Sequence, residues 1–256
     1  MAPAVLLRAA VALAGRFPAL AGVDLVVVPG EVVVLEGPNG AGKTSLLRAC
    51  AGLLPVTQGE AVVLGCDLRR ERAAVRRQVG LLGHDATLYD DLTATENVRF
   101  AVRAGAGGGR WRAHGDARPA ATDEEIAGAL ERLGLTGRLA HTPAGRLSAG
   151  QRRRTVLAAL VARRPRLWLL DEPHAAFDAE GRRVVDAVVR DAAAGGAAVL
   201  LASHEHAMSS PLADRIVSMT GGRVVAEAST APVETASVVD PVVEPAARVQ
   251  GGGHVA

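Results

Sequence analysis

From Val5 to Leu64 short apolar runs rich in β-forming residues are broken at Pro29-Gly30, Pro55 and Gly59. The pattern predicts an antiparallel strand pair flanking a buried strand at Val32-Val33-Val34-Leu35. Thr44 to Ala49 opens a helical pattern, Arg69 to Gln78 predicts a basic helix, and Val79 to Leu82 a further strand. The texture then changes. Thr93-x-x-Glu96 and Thr122-x-x-Glu125 are capping boxes, each marking a helix start because hydroxyl and carboxylate satisfy otherwise orphaned amides. Between those helices Ala104 to Ala121 is rich in Gly, Ala and Arg, which predicts a mobile loop.

After Ser148 helices and strands alternate. A helix starts near Ser148 and stops at Pro165, and Leu167-Trp168-Leu169-Leu170 is a buried strand. Ala179 to Ala194 forms an amphipathic helix with Val184, Val185, Val188 and Val189 on one face. Val199 to Ala202 is the next strand. Ile216 to Met219 and Val224-Val225, joined by Gly221-Gly222, predict a closing hairpin. Such alternation implies an α/β fold whose parallel sheet presents its ligand site at the carboxyl ends of the strands. Residues 227–256 lack any period and are expected to be a disordered tail.

A length of 256 residues suits one α/β domain with a smaller lobe. The formal charge of +2 is too balanced for nucleic acid to be the main partner. The arginine clusters Arg69 to Arg77, Arg152 to Arg154 and Arg163 to Arg166 therefore read as solvated helix faces and helix ends. Cys50 and Cys66 stand in no metal or redox spacing and read as buried free thiols, which fits a reducing compartment. His174 and His206 read as ordinary surface or supporting residues. The apolar N-terminus is interrupted by Arg8, no basic residue precedes it, and it reads as a first strand rather than a leader. No apolar run approaches membrane-spanning length. The expected location is the cytoplasm, with any membrane role exercised through another chain.

The candidate chemistry begins at Gly37-Pro38-Asn39-Gly40-Ala41-Gly42-Lys43-Thr44-Ser45. Lys43 is the sole lysine among 29 basic residues, so arginine is accepted everywhere except here. A compact ammonium fits a tight loop around phosphate, and a wide guanidinium fork does not. The segment matches G-x-x-x-x-G-K-[ST], with a strand before it and a helix after it, the P-loop context in which backbone amides cradle phosphates. Hydrolysis needs a metal and a positioned water as well. Asp171-Glu172, at the end of the Leu167 strand and followed by Pro173, supply them: Asp171 with Thr44 would hold Mg²⁺, and Glu172 would polarise the attacking water.

Leu147-Ser148-Ala149-Gly150-Gln151 places a serine cap and small residues at a helix start, about twenty residues before those carboxylates. Here the chain resembles the nucleotide-binding subunits of ATP-binding cassette (ABC) transporters, whose signature is Leu-Ser-Gly-Gly-Gln. The resemblance covers roughly residues 4 to 226. It implies a RecA-like P-loop core with an antiparallel β subdomain and a helical signature subdomain at about residues 85–160. It also implies a D-loop at Ala175-Ala176-Phe177-Asp178, and a role for His204 in contacting the γ-phosphate and holding the water and Glu172 in register. ATP and Mg²⁺ follow, as do a homodimer with composite sites and integral membrane permease subunits on other chains, with the protein on the cytoplasmic face of the membrane.

Two positions depart from the family pattern. His84 stands where a glutamine usually contacts Mg²⁺, and Ala14 stands where an aromatic usually stacks on adenine, with Phe17 displaced from that place. Gly83-His84, Leu92-Thr93-Ala94-x-Glu96-Asn97 and the alanine of the signature are similar to the ATPase subunit of the haem exporter linked to cytochrome c maturation. Another exporter's ATPase, a non-transport ABC ATPase and a catalytically idle cassette are the alternatives.

Overall fold

A computed structural model describes residues 2–106, 119–204 and 210–230. Its first half contains β1 (Val5–Ala14), β2 (Phe17–Val27), β3 (Val32–Glu36), α1 (Lys43–Cys50), β4 (Val56–Val63), β5 (Cys66–Asp67), α2 (Arg72–Gln78) and β6 (Val79–Leu82). The second half contains α3 (Ala94–Ala106), α4 (Asp123–Arg132), α5 (Ala149–Arg163), β7 (Leu167–Asp171), α6 (Ala179–Ala194), β8 (Ala198–Ala202), β9 (Arg215–Thr220) and β10 (Arg223–Ser229).

Six strands form the larger sheet in the order β10-β9-β3-β8-β7-β6, parallel throughout except for β10 at one edge. Side chains alternate across a pleated sheet, so one strand feeds two cores. Val33, Leu35, Leu167, Leu169, Leu200 and Val217 face a core shared with α1 and the smaller sheet. Val32, Val34, Trp168, Leu170, Val199 and Leu201 face the helices α3 to α6. Burial on both faces explains why these strands read as unbroken apolar runs. The result is a RecA-like P-loop core with a mixed sheet and added helical and β layers.

The smaller sheet, β2-β1-β4-β5, is antiparallel. The predicted antiparallel pair therefore does not flank β3 within its sheet. β3 pairs with β8 and β9, and the β1–β2 hairpin joins β4 in a separate layer. Other expectations shift at their ends. The basic helix begins at Arg72 rather than Arg69. α3 continues to Ala106, into the stretch expected to be a loop, and residues 107–118 lie outside the described residues. β10 pairs with β9 as far as Ser229, so the chain stays ordered past Glu227, and residues 231–256 are outside the described residues. His206 is outside them too.

Both capping boxes form, with Thr93 N donating to Glu96 at 2.8 Å and Thr122 N donating to Glu125 at 2.8 Å. Those amide bonds hold both carboxyl groups below their ordinary pKa. The stabilisation is thus present above the ordinary carboxylate range and is lost as pH falls through the lowered values. The lobe of α3, α4 and α5 also carries exposed ion pairs, Arg99–Asp123 and Arg164–Glu125. Such pairs contribute about 0–1 kcal/mol each. Burying Val98, Ile126, Leu130, Leu133 and Leu157 contributes about 1.5–3 kcal/mol apiece, so apolar packing holds the lobe together. Among the described residues no helix is long and apolar enough to cross a membrane.

Cys50 and Cys66 are buried and unpaired by disulfide, as read from the sequence. Burial pushes the Cys50 thiol up to about 12, and burial followed by the nearby Glu71 carboxylate raises Cys66 as well. Because only the thiolate attacks, iodoacetamide at pH 8 should leave both cysteines intact in the folded protein and alkylate both in denaturant. Mass spectrometry reads the outcome, and rapid alkylation of Cys50 before unfolding would contradict this burial.

Candidate functional site

Register places the site. β3 pairs Leu35 with Ala202 of β8, β8 pairs Ala202 with Asp171 of β7, and β7 pairs Leu170 with Leu82 of β6. Four parallel strands thus end level, and the segments leaving them stand side by side: Glu36-Gly37, Ser203-His204, Glu172 and Gly83-His84. Strands lie about 4.8 Å apart, so the carboxylates of β7 lie two strands, or about 10 Å, from the loop after β3.

That loop is shaped by its glycines and by distant backbone. Gly37 has φ 141°, and a Cβ there would meet the Met219 carbonyl at 2.2 Å, so only glycine fits. Gly42, at φ 104°, caps α1 without a side chain of its own to close the helix start. The first amides of an α-helix have no intrahelical partner, and here they open onto the loop. Gly222 N donates to Ala41 O at 2.9 Å, bracing the loop from the turn between β9 and β10. Lys43 is buried, and its Nζ donates to Gly37 O at 2.6 Å and Pro38 O at 3.2 Å. An ammonium held above a ring of backbone groups fits a phosphate cradle. The cleft over the loop is lined by Glu36, Gly37, Pro38, Asn39, Ser203 and His204.

Thr44, the second residue of α1, donates from Oγ1 to Asp171 Oδ2 at 2.8 Å, and Asp171 is buried. A hydroxyl and a carboxylate in contact make the small oxygen donor set of Mg²⁺, which takes its remaining ligands from phosphate and water. Among the described residues no group of three His, Cys, Asp or Glu side chains is placed to hold a metal by itself. Glu172, next in the chain, has φ 49°, left-handed for a residue with a Cβ. Its carboxylate Oε1 lies 2.8 Å from Nδ1 of His204. The sequence offered these two residues from separate segments, and the register of β7 and β8 brings them together.

The signature residues lie elsewhere. Ser148 caps α5, accepting from Gln151 N at 3.2 Å, while Gln151 Oε1 accepts from Ser148 N at 2.9 Å. The next amides, of Ala149 and Gly150, open the helix. Leu147, just before the cap, is buried in the core of the helical lobe. Ser148 to Gln151 are not among the residues lining the cleft over the phosphate loop. Gly150 instead packs on the segment after Glu172, where a Cβ would meet Ala176 O at 3.0 Å. Asp178 caps α6 by accepting from Gly181 N at 2.8 Å.

His84 is exposed, and its carbonyl accepts from Arg153. Phe17 is 78% exposed, and Ala14 ends β1 opposite it. Of the two places open to His174, surface or supporting, the structure gives the second: it is buried, with Nε2 2.7 Å from Asp186 Oδ1. One sequence expectation needs correction. Arg153 is not part of a solvated face: it is 6% exposed and donates to His84 O, Asp171 O and Glu172 O at 2.7, 2.9 and 2.6 Å. The only sequence signal for it was its place in a run of three arginines, which does not say which one turns inward.

Comparison with known proteins bears on this geometry. The family described as ABC transporter matches residues 20–175. The chain is 41% identical over 203 residues to the cytochrome c biogenesis ATP-binding export protein CcmA of Bordetella bronchiseptica, covering 79% of this chain and 84% of that one. It is 40% identical over 215 residues to the daunorubicin resistance ATP-binding protein DrrA3 of Streptomyces coeruleorubidus, covering 83% and 64%. The solved ATP-binding cassette MJ0796, a dimer in a post-hydrolysis state bound to ADP and Pi, superposes with a TM-score of 0.76 at 25% identity, covering 88% of this chain and 98% of that one.

Lys43→Arg tests the cradle. A guanidinium cannot settle between Gly37 O and Pro38 O as an ammonium does. Affinity for Mg·ATP, measured by displacement of a fluorescent nucleotide, should fall about tenfold or more, roughly 1.4 kcal/mol. An unchanged affinity would remove the lysine from phosphate binding.

Proposed function

The chain belongs to the ABC transporter family, and on that premise we propose that it is the ATP-hydrolysing subunit of a haem exporter serving cytochrome c maturation. The ATPase part rests on one observation above all, the contact of His204 with Glu172 at the sheet edge that also carries Lys43, Thr44 and Asp171. In this reading the loop amides and Lys43 bind the phosphates of ATP. Thr44 and Asp171 hold Mg²⁺, which when bound supplies charge neutralisation on the phosphate oxygens. Glu172 accepts the proton of the attacking water as the water oxygen bonds to the γ-phosphorus and the bond to the β-phosphate oxygen breaks. His204 orients the Glu172 carboxylate and contacts the γ-phosphate.

The amides at Ser148, Ala149 and Gly150 complete the site of a second copy, so that ATP is clasped between two chains. The dimer of MJ0796 with ADP and Pi is the architecture this arrangement resembles. Cleavage replaces one interfacial phosphate by separating charges and loosens the pair, a two-state element biased by ligand. Movement passes to permease subunits on other chains through the lobe from His84 to Asn97, and the protein works on the cytoplasmic face of the membrane. In this reading His84, exposed where β6 ends, senses that contact.

Support for haem as cargo comes from the Gly83-His84 pair, the alanine in the signature and the similarity to CcmA. A second reading, a drug or other exporter, is favoured by the comparable identity to DrrA3. Glu172→Gln should bind ATP, dimerise on light scattering in Mg·ATP and lose turnover by about 100-fold or more; normal turnover would remove Glu172 from the base role. In the source organism, deleting the gene should abolish haem-stained c-type cytochromes, with restoration by the wild-type chain and none by Glu172→Gln. Normal cytochromes with new drug sensitivity would favour the second reading.

A further inference from the structure

α5 is the helix whose first residues would meet the partner's nucleotide, and Arg153 lies one turn into it. The side chain turns inward and ends in a fork that grips two separate segments. One terminal nitrogen donates to His84 O at 2.7 Å, where β6 ends, and the other to Asp171 O at 2.9 Å and Glu172 O at 2.6 Å, where β7 ends. Burial lowers the pKa of the guanidinium, while the Asp171, Glu172 and Asp85 carboxylates raise it. A cation taken out of water persists only where it is well paired and hydrogen-bonded, and three carbonyls are the partners it receives here.

Glu172 adds the reason for a clamp at this place. Its backbone is left-handed at φ 49°, a conformation an L-residue with a Cβ adopts only when its surroundings enforce it. Three bonds enforce it: Glu172 N donates to Ala202 O at 2.9 Å, while Glu172 O accepts from Ala175 N at 3.1 Å and from Arg153. The first belongs to the sheet edge and the second to the local turn. The third alone comes from the signature helix. Four residues further on, Ala176 is also left-handed at φ 66°, and its carbonyl lies so near Gly150 of the same helix that a Cβ there would stand 3.0 Å from it.

From this geometry we infer that Arg153 is a positioning residue for hydrolysis, a strut that fixes the Glu172 backbone and ties its orientation to the signature helix and to the loop at His84. The inference rests on the ATPase reading given above. In this arrangement a shift of α5, caused by nucleotide at its own N-terminus, moves the base of the other site, the one in its own chain. The two composite sites of the dimer are thereby coupled within each chain as well as across the interface.

Arg163 provides a control on the same helix. It too is directed at backbone carbonyls, those of Arg77 at 3.2 Å and Val79 at 3.4 Å, but these lie at the opposite end of β6 from the site. The experiment compares Arg153→Gln, Arg153→Lys and Arg163→Gln in the purified full-length chain, measuring kcat, ATP affinity and Tm beside the wild type. Arg153→Gln should lower kcat at least tenfold while ATP affinity stays within about twofold, because the phosphate loop is untouched. Arg153→Lys keeps the charge without the planar fork and should recover part of that loss. Arg163→Gln should keep the wild-type kcat even where its Tm falls. The strut is refuted if either folded Arg153 variant turns over at the wild-type rate, or if kcat falls equally in the Arg153 and Arg163 variants in step with Tm. Should Arg153→Gln not fold, the lysine variant decides alone, a folded chain with wild-type kcat refuting the strut. Absence of wild-type turnover would instead sink the ATPase reading, and the strut with it.

Discussion

Backbone hydrogen bonds between β3, β8, β7 and β6 set a register in which Leu35 and Asp171 both stand beside Ala202, and Leu82 beside Leu170. On that alignment depends nearly everything chemical in the molecule. Slipping one strand by a residue would turn its side chains to the opposite face, exchanging the two cores and moving a carboxylate away from its partner. Burial on both faces makes such a slip costly, because every strand residue then carries apolar contacts that must all be remade. The precision of the polar site is therefore supplied by apolar residues that take no part in it.

How much of this was legible beforehand depended on the range of the interaction. The phosphate loop, the carboxylate pair and the capping boxes are written in contiguous residues, and local patterns found them. Helix α6 was read to its ends because Val184, Val185, Val188 and Val189 repeat at helical spacing, and the structure adds Asp178 as its cap. The meeting of His204 with Glu172 needed the strand order, which no local pattern states, and was suggested by family resemblance instead. Composition misled at the arginines. Arg152, Arg153 and Arg154 look alike in sequence, yet successive residues on a helix point about 100° apart. Arg152 reaches Asp90 and the Ala144 carbonyl, Arg153 the strand ends, and Arg154 the Leu133 carbonyl and the ring of Phe177. Which of the three turned inward was decided by the phase of α5 against the sheet. For His174 the sequence left a surface and a supporting place open, since Asp186, its partner, lies twelve residues away on α6.

The helical lobe shows the same division between local and distant causes. Its helix starts are fixed by short-range caps, but its placement comes from leucines and valines drawn from α3, α4 and α5 together. Asn97 joins the two. Buried, it donates to the carbonyls of Tyr89, Leu92 and Thr93 and accepts from Tyr89 N, so one side chain sets the path of the chain into α3. Beside it Tyr89 and Phe100 meet edge to face, both exposed.

The phosphate loop is encoded within the first fifth of the polypeptide, yet its walls arrive much later. Gly37 is confined by the Met219 carbonyl, Ala41 is held by Gly222, and β3 lies between β8 and β9. A nascent chain leaving the ribosome has the motif long before it has the strands that shape it. Its grip on nucleotide is consequently among the last properties to appear during synthesis, and a product broken off before β9 carries the motif without the grip.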